Sequence, residues 1–407
     1  MSTSLLYHAF GIRGCSYVRT EYRRGEICFT VRRKRSDLRC RQCGCQNVIF
    51  RGKAVRKFRA VPIGRRHVWI VLPVQRVECR ACHVIQQVDV PFADRRRSYM
   101  RTFERYALEL CRHMTIQDVA NHLGVSWDVI KAIHKRYLQT HFARPRLGDL
   151  TYMAIDEVCI GRPRKFLTIV MNLVTGAVVF VGEGKGKAAL KPFWKRLRRS
   201  RAKVLAVACD MAMPYVTAVL ENLPKAALVL DRFHVVKYFN EKLTLLRRTV
   251  QRVAVGMERQ VLKGTRWILL KNPENLRADA DPRKDERKRL QDALEINQPL
   301  MVAYYLKEDL RQFWDQPDRD AADRFLEQWL TRADSSAIPV LRKVARRLRV
   351  FRFALLAWYD HPISTGPLEA CNNKIKTLQR RAYGFRDREY FVLQIHSQHL
   401  KKYALVG

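Results

Sequence analysis

Val204-Leu205-Ala206-Val207-Ala208-Cys209-Asp210 is a short apolar run that stops on an acid. Such a run, bounded by polar residues, predicts a buried strand over Val204–Cys209. The carboxylate then falls at the carboxyl edge, where open α/β sheets expose the groups that meet ligands. Upstream, Met153-Ala154-Ile155-Asp156-Glu157-Val158 predicts a second strand with acids within it. Alternation along that strand places Asp156 and Glu157 on opposite faces. Outward from these two runs, strands are expected at Tyr152–Ile160, Phe166–Asn172 and Ala177–Val181, with Thr175-Gly176 as the turn joining the last two. A helix is expected over Ala188–Arg199, a strand at Ala227–Leu230, and helix from His234 past Val250. Residues from about 255 to 360 read as charged helices carrying Trp267, Trp314, Trp329 and Trp358.

The composition fits a large binding partner of opposite charge. The chain has 407 residues, enough for two to four domains, and 47% apolar residues, enough for a sizeable core. Its 78 Lys+Arg against 38 Asp+Glu give a formal charge of +40, which points to a polyanion whose counterions are released on binding. Ribosomal or membrane-surface binding would share that charge. No membrane-spanning run is expected, because Phe166–Val181 is interrupted by Asn172 and Thr175-Gly176. The N-terminus lacks a basic segment leading into an apolar one, so no secretory signal is expected. Eleven cysteines, an odd count, argue against a secreted disulfide framework.

Four of the cysteines form two pairs, Cys40-x2-Cys43 and Cys79-x2-Cys82. Two such knuckles can complete a tetrahedral Zn²⁺ site. Cys45 and His83 are possible substitutes, and four unrelated buried cysteines are the bland alternative. Four protein ligands leave no open position, so the zinc is expected to be structural. Further on, Thr115 to Ile130 has the grammar of a helix-turn-helix. Thr115 caps the first helix with Asp118 three residues on, Ala120 is small where helices approach, Gly124 suits a left-handed turn, and Ser126 caps the second helix. Ile130, Ile133 and Tyr137 are expected inward. Lys131, His134 and Lys135 are expected outward, toward DNA.

Phosphodiester chemistry on two metals needs three or four carboxylates converging from separate elements. Asp156 and Asp210 supply two. Glu369 follows Gly366-Pro367, a natural helix start. Helical spacing from Glu369 puts Asn372, Asn373, Lys376 and Arg380 on one face and Leu368, Cys371, Ile375 and Leu378 on the other. Each acid alone also reads as a cap or a turn residue. The ordered set is more specific than any member.

Together these motifs resemble the bacterial insertion-sequence transposases of the IS-L-three (ISL3) family. The resemblance covers nearly the whole chain. It is carried by the two knuckles, the helix-turn-helix, Ala208-Cys209-Asp210-Met211, Leu230 to Lys237, Gly366 to Lys376, and Arg380-Arg381-Ala382-Tyr383-Gly384-Phe385-Arg386. It implies a multidomain α/β protein: a ribonuclease-H-like core interrupted by a helical insertion, preceded by zinc-binding and helix-turn-helix domains. It also implies that Asp231 and His234 form an Asp-x-x-His pair beside the active site, against the plain reading of a helix cap and a packed histidine. The expected boundaries are 1–95 for the zinc-binding domain, 96–145 for the helix-turn-helix, 150–240 with 361–400 for the core, and 241–360 for the insertion.

The function expected from this set is transposition of DNA. The front end would bind terminal inverted repeats of double-stranded DNA. The core would hold Mg²⁺ (or Mn²⁺) on Asp156, Asp210 and Glu369 to cleave and transfer strands. Asp231, His234, Asn373, Lys376 and Arg380 would stand beside those ligands or touch DNA, and a homo-oligomer would assemble on the paired ends in the cytoplasm, associated with the nucleoid. A DNA-binding regulator with an inactive core and a structure-specific nuclease are the alternatives.

Overall fold

The computed structural model describes residues 3–161 and 165–398. The chain divides into two compact units, Met1–His141 and Phe142–Gly407.

The first unit begins with helix α1 (Thr3–Phe10) and a sheet of five strands: β1 (Cys15–Arg23), β2 (Glu26–Arg33), β3 (Val48–Ile63), β4 (Arg66–Cys79) and β5 (Ile85–Gln87). The order is β1-β2-β4-β3, with β5 also paired to β4. Strands β3 and β4 make one long hairpin whose register runs from Val48 opposite Cys79 to Ile63 opposite Arg66. Helices α2 (Arg101–Cys111), α3 (Ile116–Leu123) and α4 (Trp127–Phe142) follow. Sheet and helices share one hydrophobic core, in which Phe29, Phe58 and Ile70 pack with Phe103, Val119, Leu123 and Ile130. Helix α1 is not expected from the sequence; it exists by burying Leu6 and Phe10 in that core, not by any strong end signal.

The second unit is built on β6 (Tyr152–Gly161), β7 (Lys165–Asn172), β8 (Val178–Glu183), β9 (Ala206–Cys209) and β10 (Ala227–Leu230). Their order is β10-β9-β6-β7-β8. β6, β9 and β10 are mutually parallel, and β7 is antiparallel to both its neighbours. This is the ribonuclease-H-like sheet. β9 is shorter than expected, beginning at Ala206, although the Leu205 amide and carbonyl still bond to Thr151 and Ala227 beside it, both at 2.8 Å.

One face of this sheet packs on α5 (Lys187–Arg199) and α6 (Met213–Asn222) through Met153 and Ile155. After β10 the chain enters α7 (Arg232–Val253) and then the helical insertion: α8 (Gly256–Leu262), α9 (Arg266–Leu270), α10 (Glu286–Ile296), α11 (Gln298–Arg311), α12 (Arg319–Ser335), α13 (Pro339–Val350) and α14 (Arg352–Asp360). Trp329 anchors these helices, packing on Phe239 with ring centroids 6.0 Å apart and donating its indole N–H to the Leu306 carbonyl at 2.9 Å. Finally α15 (Gly366–Arg381) and α16 (Arg388–His396) cover the opposite sheet face, where Ala154 and Val158 meet Leu368, Cys371, Ile375 and Phe391.

Candidate functional site

The four cysteines of the first unit come together. Their Sγ atoms all lie within 4.8 Å of one another, with Cys40 to Cys82 and Cys43 to Cys79 both at 3.5 Å. Zn–S bonds of about 2.3 Å in a tetrahedron imply S···S separations near 3.8 Å, so the set fits Zn²⁺. Each knuckle turns by the same device. The residue after its second cysteine has positive φ, Gly44 at 74° and His83 at 55°, and its amide bonds back to the carbonyl of the first cysteine, at 2.8 Å and 2.9 Å. His83 is thus part of the turn and is not in the ligand set, nor is Cys45. The hairpin β3–β4 joins the two knuckles, Val48 standing opposite Cys79. Gln86 of β5 donates to Cys40 Sγ at 3.6 Å, orienting that ligand from outside the set.

The helix-turn-helix has the expected local chemistry. Thr115 caps α3 in a complete capping box with Asp118, and Gly124 closes it in the left-handed conformation. A Cβ at Gly124 would also lie 2.4 Å from the His67 ring on β4. The turn is tied to the sheet by Arg59, a 3%-exposed residue of β3 whose guanidinium donates to the Leu123 carbonyl at 2.6 Å. Sequence reading misses this residue, which lies in a run of basic positions and looks like one more surface arginine. On α4, Ile130 and Ile133 are buried as expected, whereas Tyr137 is only half-buried. Lys131, His134 and Lys135 are half-buried and do not stand out in solvent. Burial pushes the His134 imidazole down to about 4. The reason is helical spacing: His134 lies four residues after Ile130 and four before Leu138, both fully buried. Lys131 packs its ammonium 4.9 Å from the Trp127 ring.

In the second unit, β6 and β9 run parallel with Ile155 level with Cys209, so Asp156, in the middle of β6, and Asp210, just past the end of β9, are the next residues on adjacent strands. Asp156 lies on the face that carries Ala154 and Val158. Its Oδ1 accepts the Glu157 amide at 2.7 Å, and its Oδ2 accepts from Asn372 Nδ2 at 2.8 Å across 216 residues of sequence. Burial pushes the Asp156 carboxyl up to about 6, reinforced by the Asp210 charge and opposed by the Glu157 amide and His234. Asp210 Oδ1 accepts the Ala212 amide at 2.9 Å. Arg347 of the insertion donates to the Met211 carbonyl at 2.5 Å, bracing the turn that carries Asp210. Glu157 points to the other face, where the Tyr215 hydroxyl meets its Oε2 at 3.3 Å.

Glu369 lies exposed in the first turn of α15, one helical turn before Asn372. Asn373, Lys376 and Arg380 are exposed along the same helix. Asn372 departs from the expectation. It is 4% exposed, belongs to the packed side, and holds Asp156. Among the described residues, the cysteine set alone brings three or more potential metal ligands within 4.8 Å. Asp156, Asp210 and Glu369 form no such group.

Asp231, 3% exposed at the end of β10, caps α7 through the His234 amide and accepts the Thr365 amide at 3.0 Å. It thereby ties the start of α7 to the start of α15. His234 Nδ1 stands 3.3 Å from Asp231 Oδ2 and 3.5 Å from Thr365 Oγ1. Burial disfavours the charged imidazole, but the Asp231 contact and the charges of Asp156 and Asp210 outweigh it and raise its pKa. Thr365, 1% exposed, has no distinguishing sequence signal.

Fold and site together define a ribonuclease-H-like protein with two aspartates side by side on adjacent sheet strands, a cysteine set that fits structural zinc and a helix-turn-helix. The family model described as "Transposase" in ISL3 matches residues 153–395; "Helix-turn-helix domain of transposase family ISL3" matches 88–138, and "zinc-finger of transposase IS204/IS1001/IS1096/IS1165" matches 38–82. The chain belongs to the ISL3 family of transposases. It is 29% identical over 371 residues to the transposase for insertion sequence element IS1001 of Bordetella parapertussis, covering 88% of each chain. It is also 29% identical over 374 residues to the transposase for IS1557 of Mycobacterium tuberculosis (strain CDC 1551 / Oshkosh), covering 86% of this chain and 82% of that one. Among solved structures it is similar to the Drosophila P element transposase strand transfer complex, with a TM-score of 0.40, 12% identity, and coverage of 74% of this chain and 92% of that one. No described helix is long and apolar enough to cross a membrane.

Proposed function

We propose that this transposase binds the terminal inverted repeats of an insertion sequence, cleaves a phosphodiester at the element end, and joins the freed end to target DNA. The observation that carries the reading is the juxtaposition of Asp156 and Asp210 on the adjacent parallel strands β6 and β9, with Asn372 of the Glu369 helix bonded to Asp156. Carboxylate oxygens are the donors that suit Mg²⁺ or Mn²⁺, and Asp156, Asp210 and Glu369 are the residues that would hold it. When bound, the metal supplies charge stabilisation for the attacking and leaving oxygens. The protein keeps the acids in place: Asn372 fixes Asp156, the Ala212 amide and Arg347 fix the Asp210 turn, and Asp231 fixes the start of α15. In the first step water attacks phosphorus and the bond to the 3′ oxygen breaks, leaving a 3′-hydroxyl and a 5′-phosphate. In the second, that hydroxyl attacks a target phosphodiester and displaces another 3′ oxygen.

His234, together with Asn373, Lys376 and Arg380 exposed on α15, would steady the metal ligands or the phosphates. Repeat recognition is assigned to the helix-turn-helix, with Lys131 and Lys135 at its margin and His134 contributing shape rather than charge. The division into zinc-binding (1–95), helix-turn-helix (96–145), core (150–240 and 361–400) and insertion (241–360) domains follows these roles. A homo-oligomer would pair the two ends, in the cytoplasm at the nucleoid. A plasmid excision assay with and without Asp210→Asn tests the reading. Loss of excision with repeat binding retained is expected. Binding without excision by the unaltered chain would make it a regulator, and cleavage without strand transfer would make it a nuclease.

A further inference from the structure

Helices α7 and α9 form a groove that begins at Phe233, the residue before His234. Phe233 precedes His234 in the first turn of α7, is 51% exposed, and has its ring 5.5 Å from the imidazole. From there a cavity of about 580 Å³ follows α7 toward α9, lined by Phe233, Lys237, Asn240, Lys242, Arg248 and Arg266. Phe233, Lys237, Asn240, Thr244 and Arg248 recur at steps of three and four, so they form one stripe of α7. Four cations line this groove against one acid, Glu241. Two polar atoms here are buried with no hydrogen-bond partner among the described residues: Asn240 Oδ1 and Arg266 Nε. The guanidiniums crowd one another. Arg247 is held below its usual range first by burial and then by the charges of Arg248 and Arg266. Like charges gathered around unpartnered polar atoms cost stability unless an anion with hydrogen-bonding groups completes the site.

We infer that this groove holds the DNA strand next to the scissile phosphodiester, with its phosphates on Lys237, Lys242, Arg248 and Arg266 and one unstacked base against Phe233. The ligand class is a DNA strand because the lining alternates an aromatic face, cations and amide groups, which suits base stacking with phosphate contacts. Its length suits several nucleotides: Phe233 to Arg248 spans about 22 Å at 1.5 Å per residue, about six nucleotides at 3.4 Å each. The inference rests on the reading of Asp156, Asp210 and Glu369 as the cleavage site, which gives the groove its place along the strand.

The test uses the full chain carrying Asp210→Asn and duplex DNA that extends across the element end. Adding Arg248→Ala and Arg266→Ala should weaken binding about tenfold and lower the salt slope by about two. DNA cut back at the cleavage position should show which side of the bond the groove holds, because the double substitution then loses its effect on one of the two trimmed duplexes. With Asp210 intact, Phe233→Ala should cut cleavage about tenfold, with Phe233→Trp retaining it. Replacing the facing nucleotide by an abasic one should remove the difference between the unaltered chain and the Phe233→Ala chain, a readout that simple misfolding does not produce. Unchanged affinity and salt slope in the double variant, with melting behaviour preserved, would overturn the inference. Equal loss on both trimmed duplexes would overturn it too, since it would place the groove away from the scissile bond. The cleavage reading fails separately, if Asp210→Asn itself still cleaves.

Discussion

The two acceptor sites of this molecule are built in opposite ways. The cysteine site is made by two short knuckles joined by one hairpin, and its four sulfurs lie within 4.8 Å of one another before anything else is considered. The proposed acidic site draws on β6, β9 and α15, whose one observed link is Asn372 bonded to Asp156 across 216 residues, and its acids form no comparably tight group. A closed set of four ligands serves folding, since metal binding and local structure form together. On the proposed reading, an open set of acids held by neighbours would leave coordination free for chemistry. The difference predicts that substitutions at the two sites fail differently.

The largest effect is expected at the acids. Asp156→Ala, Asp210→Ala and Glu369→Ala should each lower cleavage by at least ~100-fold, because errors of about 1 Å in positioning already cost that much. Melting temperature and repeat binding should be preserved. Glu157→Gln is the control, since its side chain meets Tyr215 on the other sheet face. A full loss in Glu157→Gln, or normal cleavage by Glu369→Ala, would move the third-acid role elsewhere.

At the cysteines the pattern should reverse. Cys79→Ser should release about one Zn²⁺ per chain and unfold the first unit, so that DNA binding is lost together with structure. Metal analysis and limited proteolysis measure both. A well-folded chain that never contained zinc would remove the contrast between the sites.

Intermediate effects test the residues that hold each site. Asn372→Ala should slow cleavage on the order of 10- to 100-fold, with a higher metal concentration needed for half-maximal rate. Asn372 donates to Asp156 and touches no substrate in this assignment. Loss of rate with unchanged metal requirement would assign it to packing alone. Arg59→Lys should cost the first unit about 1–3 kcal/mol, because the buried Leu123 carbonyl loses its guanidinium partner. Repeat selectivity should fall with it.

The sequence is most informative where function is local. Knuckle spacing, the Thr115–Asp118 box, Gly124 and the apolar runs ending at Asp156 and Asp210 all carry their meaning within a few residues. Asn372, Thr365, Arg59 and Arg347 are not legible there as residues that hold a site. Each acts through a partner distant in the chain, Asp156, Asp231, Leu123 and Met211 respectively, and local pattern contains no term for that. Helical spacing assigns Asn372 to the polar face because amides are usually exposed, yet a buried amide is stable wherever a carboxylate accepts from it. His134 errs the other way. Its polar character suggests exposure, although the positions four before and four after it are both apolar.

Two histidines carry the comparison down to its smallest effect. His134, in the first unit, is pushed to about 4 from 6.5 by burial. His234, in the second, is raised, because the Asp231 contact and the Asp156 and Asp210 charges overcome the burial that would lower it. The signs of the stability contributions follow. For His134 the unfolded chain takes up its proton first, so the contribution is present above about pH 6.5 and is lost as pH falls toward 4. For His234 the folded chain holds its proton longer, so the contribution is present below the unfolded value and is lost as pH rises through the folded one. Ring chemical shifts followed by NMR, assigned with His134→Gln and His234→Gln chains, should show His134 neutral throughout pH 6 to 8 and His234 titrating above 6.5. DNA affinity should then gain nothing from His134 as pH falls from 7.5 to about 6. A gain that disappears in His134→Gln would mean that this imidazole meets phosphate as a cation, and would restore it to the outward, charged face of α4.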